Sequence, residues 1–128
     1  MASPADLKYT RTHEWVRRDG DTVTIGITDH AQGELGDITY VELPEVGTEV
    51  AATQPMGIIE SVKAATDLYA PVNGEVVAVN DKAVETPELL NSEPFGDAWL
   101  VKVRLQNPDQ VAELMPATEY DAFAEHGA

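Results

Sequence analysis

The stretch after Pro44 is cut by Gly47, Pro55, Gly57, Pro71 and Gly74. Proline cannot donate to a sheet's hydrogen-bond ladder and an interior glycine weakens a strand, so this part of the chain is confined to short, closely spaced strands. It also carries one small pattern twice, Val46-Gly47-Thr48-Glu49-Val50 and Val72-Asn73-Gly74-Glu75-Val76, each a Val-x-x-Glu-Val with one internal Gly. Read as two related halves, the pair is centred near Ser61, and Val62-Lys63 lies where one half passes into the other. The competing reading is chance recurrence, because Val, Glu and Gly are common residues.

His13 to Arg18 and Thr22 to Ile27 are β-prone runs on either side of Asp19-Gly20-Asp21, which predicts a hairpin. Thr28 is placed to cap a two-turn helix whose Ala31 and Leu35 face inward, with Gly36 as a left-handed stop. Ile38 to Leu43 is a further strand, ended by Pro44. Thr86-Pro87-Glu88 has the form of an N-cap followed by proline at the first helical position, and Pro94-Phe95-Gly96-Asp97 reads as a turn before a strand over Trp99 to Arg104. Asn107-Pro108-Asp109-Gln110 starts a helix with Val111, Leu114 and Met115 as its apolar stripe, ended by Pro116. Thr118 restarts a helix that turns Tyr120, Phe123 and Ala124 inward. The expectation is a single domain over residues 1–128, mainly β, with a core of about 9–106 and a helical C-terminal segment of about 107–126.

Composition narrows the function. A chain of 128 residues is too short for a nucleotide-binding enzyme with a separate substrate domain. Eight Lys and Arg against 23 Asp and Glu give a formal net charge of −15. That field repels phosphate backbones and anionic bilayers, so neither nucleic acid nor a membrane is an expected partner. With 43% hydrophobic and 24% charged residues the chain folds rather than staying disordered. The absence of cysteine leaves no disulfide framework, thiolate nucleophile or Cys-based zinc site, so any sulfur redox chemistry must come from a cofactor. Met1 to Asp6 has neither a basic n-region nor an apolar h-region, and the aliphatic runs fall far short of the roughly 20 residues that span a bilayer. A cytoplasmic location is expected, or the mitochondrial matrix if a transit peptide preceded Met1.

Searches for dinucleotide-binding, phosphate-loop, zinc-protease and serine-hydrolase motifs find nothing. His13, His30 and His126 read as ordinary polar histidines rather than a metal set, although His13 and His30 could meet in space. No catalytic residue and no metal site are expected. One segment stands apart: from Met56 to Pro71, a lone Lys63 sits between two apolar-rich arms. If Ile58-Ile59 pairs with Leu68-Tyr69, the reversal is centred near Val62-Lys63 and projects the amine away from the body. Its centre lacks Gly, Asn and Pro, so the flanking strands must supply the geometry. On composition alone Lys63 is a solubilising edge-strand charge.

The spaced pattern Val46-Gly47…Glu49-Val50…Glu60-Ser61-Val62-Lys63-Ala64…Ala70-Pro71-x-x-Gly74-x-Val76 resembles lipoyl- and biotinyl-carrier domains, whose modified lysine occupies a hairpin tip between two half-barrels. Val62 and Ala64 beside the lysine look lipoyl, since biotin carriers usually have Met on both sides. The resemblance runs from about Tyr9 to Tyr120. Tyr9-Thr10…His13-Glu14-Trp15-Val16, Gly26-Ile27-Thr28-Asp29-His30-Ala31-Gln32, Leu35-Gly36-Asp37, Val41-Glu42-Leu43-Pro44, Asp67-Leu68-Tyr69-Ala70-Pro71 and Pro94-Phe95-Gly96…Trp99-Leu100 are similar to the H-proteins of the glycine cleavage system. Phe95 departs from a frequent Tyr, and the surface is more acidic than the family requires. Lipoyl domains of 2-oxo-acid dehydrogenases belong to longer chains with Ala/Pro-rich linkers, which this chain lacks.

The resemblance implies a barrel-sandwich hybrid of short antiparallel strands with peripheral helices. It further implies lipoate attached to Lys63 as N6-lipoyl-lysine, with Glu60 and Ser61 helping to present the lysine to a lipoate-attaching enzyme. The implied role is that of a monomeric carrier rather than an enzyme. The pyridoxal-phosphate P-protein (glycine decarboxylase) loads an aminomethyl group, the T-protein (aminomethyltransferase) passes its carbon to tetrahydrofolate, and the L-protein (dihydrolipoyl dehydrogenase) reoxidises the dithiol. The resemblance also points to Glu14 and Asp67 as acids near the docked arm, with Thr12 as a hydroxyl contact. A carboxylate there keeps the cargo nitrogen protonated, so that its lone pair does not expel the thiolate. Without the resemblance, Glu14 is an exposed strand residue and Asp67 a solvated flank of the hairpin. The alternative function is an H-protein-like carrier that relays lipoate to other proteins or serves another pathway.

Overall fold

The computed structural model describes residues 3–125. Its elements in chain order are β1 (Lys8–Tyr9), β2 (Glu14–Asp19), β3 (Thr22–Ile27), α1 (Asp29–Leu35), β4 (Ile38–Glu42), β5 (Glu49–Val50), β6 (Pro55–Ser61), β7 (Ala65–Tyr69), β8 (Gly74–Val79), α2 (Asp81–Glu85), α3 (Leu89–Ser92), β9 (Val101–Leu105), α4 (Asp109–Ala112), β10 (Met115–Pro116) and α5 (Ala117–Glu125). Every pairing among them is antiparallel. One sheet has seven strands in the order β10-β1-β2-β3-β9-β8-β5, and the other three in the order β4-β6-β7. The expected class holds: short antiparallel strands with peripheral helices, in sheets that stay open rather than closing into a barrel.

Strand alternation sorts the side chains into three cores. On one face of the large sheet Val16, Val23, Ile25, Val76 and Val103 pack together. Ile27 continues into a second core with Ile38, Val41, Ile59 and Leu68, which joins the large sheet to the small one. The opposite face carries Tyr9 and Trp15, covered by Met115 and Tyr120 from the C-terminal elements. Burying each such side chain stabilises the fold by about 1.5–3 kcal/mol before entropy is counted. Trp15 fits because its cross-strand partner is Gly26, where a Cβ would stand 2.6 Å from the indole. The indole N–H donates to the Pro94 carbonyl at 2.8 Å.

The β2–β3 hairpin forms as expected. Thr28 caps α1, its hydroxyl accepting from the Ala31 amide, and Gly36 ends it at φ 78°. The helix expected to carry Val111, Leu114 and Met115 is shorter: α4 stops at Ala112, and Met115–Pro116 pairs with β1. A single helical turn has little cooperative stability. Met115 instead buries its side chain beside Tyr9, on a strand where Pro116 sits at the sheet edge. Thr86 does not cap the next helix by its side chain; α3 starts at Leu89 after a turn in which the Leu89 and Leu90 amides donate to the Thr86 and Pro87 carbonyls. Helix α2 was not expected, although Asn80 caps it by accepting from the Lys82 amide. His126, the last expected residue of the C-terminal segment, lies outside the described residues.

Candidate functional site

Strands β6 and β7 form the lysine hairpin. Ile58 pairs with Asp67 and Ile59 with Thr66, two positions from the expected partners, yet the reversal still falls between Val62 and Lys63. The Ser61 amide donates to the Ala64 carbonyl at 2.8 Å, and the Ser61 hydroxyl accepts from the Lys63 and Ala64 amides at 3.3 and 3.1 Å. A serine side chain therefore closes the turn in place of Gly or Asn. The Val62 amide donates to the Asp37 carbonyl at 3.0 Å, tying the tip to the connection after α1. Lys63 and Glu60 are exposed, and Val62 beside the lysine is 71% exposed. Among the described residues Lys63 has no ion-pair partner. Its stem runs over the end of α1, where a Cβ on Gly36 would stand 3.6 Å from the Lys63 Cε.

A cleft of about 380 Å³ opens where the far end of β7 meets the large sheet, lined in part by Thr10, Arg11, Thr12, Tyr69, Leu114 and Glu119. Tyr69 lies six residues beyond Lys63, so the cleft mouth is about 20 Å down the hairpin from the tip. Ala65, Asp67 and Tyr69 share one face of β7 by alternation.

Glu14 sits behind the cleft wall. Alternation along β2 places it on the face of Val16, and it is only 2% exposed, so it is not the exposed strand residue that composition implied. Its Oε1 accepts from the hydroxyls of Thr10, at 2.6 Å, and Thr12, and its Oε2 accepts from the Tyr69 amide at 3.2 Å. Burial pushes the Glu14 carboxyl up to about 7, while hydrogen bonds from Thr10, Thr12 and Tyr69 oppose the rise. With its proton committed to Glu14, the Thr12 hydroxyl is left as an acceptor at the cleft surface.

The structure thus brings Thr12 and Glu14 together and ties Glu14 to Tyr69, which lines the same cleft as Thr12. Asp67 is exposed on β7 and lines a different hollow beside Glu42, Met56 and Ile58. Glu60 and Ser61 belong to the tip. Thr10 and Tyr69 were missed by sequence reasoning. No local pattern marked them, because residues 10–13 form a turn, closed by the His13 amide on the Thr10 carbonyl, rather than extended chain, and it is this turn that sets Thr10 and Thr12 on Glu14. His13 and His30 do meet, with ring centroids 4.5 Å apart, but no group of acids and histidines among the described residues could hold a metal ion. No helix among those residues is long and apolar enough to cross a membrane.

A profile of the glycine cleavage H-protein family matches residues 7–127. The glycine cleavage system H protein of Marinomonas sp. (strain MWYL1) is 58% identical over 120 residues, 93% of this chain and 94% of that protein. Its counterpart from Rubrobacter xylanophilus is 61% identical over 107 residues, 83% of this chain and 85% of the relative. The crystal structure of a glycine cleavage system H protein from Mycobacterium marinum superposes with a TM-score of 0.88 at 39% identity, covering 98% of this chain and 100% of that one. Sequence and backbone agree over nearly the whole length, and the chain belongs to the glycine cleavage H-protein family.

Proposed function

We propose that the chain is the lipoylated carrier subunit of a glycine cleavage system, with lipoate joined to Lys63 as an N6-lipoyl-lysine. The observation that supports this most is the placing of Lys63 at a two-residue tip, exposed and without an ion-pair partner among the described residues. Acylating such an amine breaks no salt bridge, and a modifying enzyme can reach it from several sides. Ser61 closes the turn that presents the lysine, and Glu60 offers the lipoate-attaching enzyme a carboxylate three residues before Lys63. The attached dithiolane supplies the sulfur pair that a cysteine-free chain lacks.

The carrier is not itself a catalyst; it visits the P-protein, the T-protein and the L-protein in turn. Tethering concentrates the cargo at each partner without a reactive group on the carrier. Its net charge of −15 becomes one unit more negative on acylation of Lys63, which favours weak, salt-sensitive docking on basic rims around the partners' entrances.

The cleft wall gives Thr12 and Glu14 a protective task. An ammonium group on the cargo donates to Thr12 Oγ1, and the Glu14 carboxylate behind it favours that proton staying on nitrogen. Asp67, exposed on β7 and lining the neighbouring hollow rather than the cleft, is a second acidic contact for the arm as it swings between tip and cleft. Co-expression with lipoylating enzymes, followed by intact-mass analysis and peptide mapping, should show one lipoyl addition on the peptide containing Lys63, and that material should support glycine–bicarbonate exchange by the P-protein. A lysine that stays bare despite ample lipoate and a competent ligase refutes the proposal.

A further inference from the structure

Resting on the carrier reading above, we infer that Tyr120 of the C-terminal helix is a positioning residue for the cleft wall: its hydroxyl bridges His13 and Thr28 and so holds the turn that sets Thr12 and Glu14 toward the cargo. Tyr120 is fully buried, with its oxygen 2.7 Å from His13 Nδ1 and 2.7 Å from Thr28 Oγ1. Its ring stacks on Tyr9, centroids 4.7 Å apart and planes 14° from parallel. A phenylalanine would satisfy that stacking and burial equally well. The hydroxyl is therefore an addition that packing does not need, and a buried hydroxyl without partners is costly.

His13 is where the bridge acts. It stands between Thr12 and Glu14 in the left-handed region, φ 69°, which few residues other than glycine adopt unaided. Main-chain bonds close the turn: the His13 amide donates to the Thr10 carbonyl at 3.2 Å, and the Thr28 amide to the His13 carbonyl at 3.1 Å. The Tyr120 hydroxyl adds a directional side-chain anchor to this turn, beside the packing of the His13 ring on His30 and Phe123. A phenol has one proton and two lone pairs, so it donates to one neighbour while accepting from the other, and the bridge holds in either direction. Thr28 also caps α1, whose far end at Gly36 lies under the Lys63 stem. One hydroxyl thus joins α5, the turn behind the cleft and the helix beneath the lysine.

Tyr120→Phe is compared with Tyr9→Phe, a control in the same stack whose lost hydroxyl donates instead to the Pro4 carbonyl. In the unmodified chain, Tyr120→Phe should speed amide hydrogen exchange at His13, Glu14 and Tyr69 by about tenfold or more while leaving Val23 and Val103 unchanged. Tyr9→Phe should change none of them. In the lipoylated, loaded protein, Tyr120→Phe should raise ammonia and formaldehyde release several-fold, with less than a twofold further effect in a Glu14→Gln background. Unchanged exchange at His13 and Glu14, uniform acceleration through both sheets, or full additivity with Glu14→Gln each overturns the inference. A bare Lys63 would sink the carrier reading instead, and the exchange comparison would still decide the role of Tyr120.

Discussion

Lys63 and Glu14 are held in opposite ways. The lysine stands in water on a tip closed by main-chain bonds and one serine hydroxyl, whereas the glutamate is enclosed and its oxygens accept from two threonines and a backbone amide. On the proposed carrier reading, the contrast follows from what each would do. A side chain that another enzyme modifies has to be reachable, and desolvation would add nothing. An acid that acts on a charge through space gains from burial, because Coulomb interactions strengthen as water is excluded.

The sharpest way to break this comparison is Lys63→Arg. Arginine keeps the positive charge but cannot form the amide, so carrier activity in glycine–bicarbonate exchange should fall to background while the melting temperature moves by no more than about 1 °C. A second lysine becoming lipoylated in that variant would relocate the site. Next in size is the pH dependence of Glu14. Its carboxyl is raised in the folded state from 4.5 to about 7. The group's stabilising contribution is thus fully present below pH 4.5 and is lost as pH rises through about 7. Urea denaturation at pH 4.5 and 8 should show the stability of Glu14→Gln gaining on the parent by about 3 kcal/mol across that interval. A constant difference would mean that Glu14 is solvated.

Gly26→Ala tests how unyielding the sheet beside Glu14 is. The new Cβ would meet the Trp15 indole at 2.6 Å, and the expected loss is about 1–3 kcal/mol in thermal or urea unfolding. Ser61→Ala, the smallest effect, removes the hydroxyl that accepts from two tip amides. It should cost at most about 1 kcal/mol but slow lipoylation of Lys63 several-fold, read by mass against time. Unaltered lipoylation kinetics would show that the flanking strands alone set the tip.

The hairpin around Lys63 was legible from sequence because its determinants are local: apolar arms of matched length, an unusual lone cation and flanking glycine and proline. The register was off by two residues, since alternating apolar runs tolerate slippage until the surrounding cores fix it. Met115 was misplaced for a related reason, its helical spacing from Val111 being overridden by pairing with Tyr9. Thr12 and Glu14 were named from family resemblance, while composition made Glu14 an exposed residue. The burial of Glu14 arises from Tyr69, 55 positions away, and from a sheet joint that no local pattern describes.

By itself the sequence determined the strand-rich class, the caps of the first hairpin and helix, the lysine at a reversal and the absence of any sulfur nucleophile. These follow from backbone preferences and residue chemistry within a few positions. Only the tertiary structure decided which face of β2 carries Glu14, how Tyr120 reaches His13 and Thr28, and that Thr12 rather than Glu14 forms the surface of the cleft. Those are long-range relations, set where three cores meet and where the exclusion of water changes what a carboxylate can do.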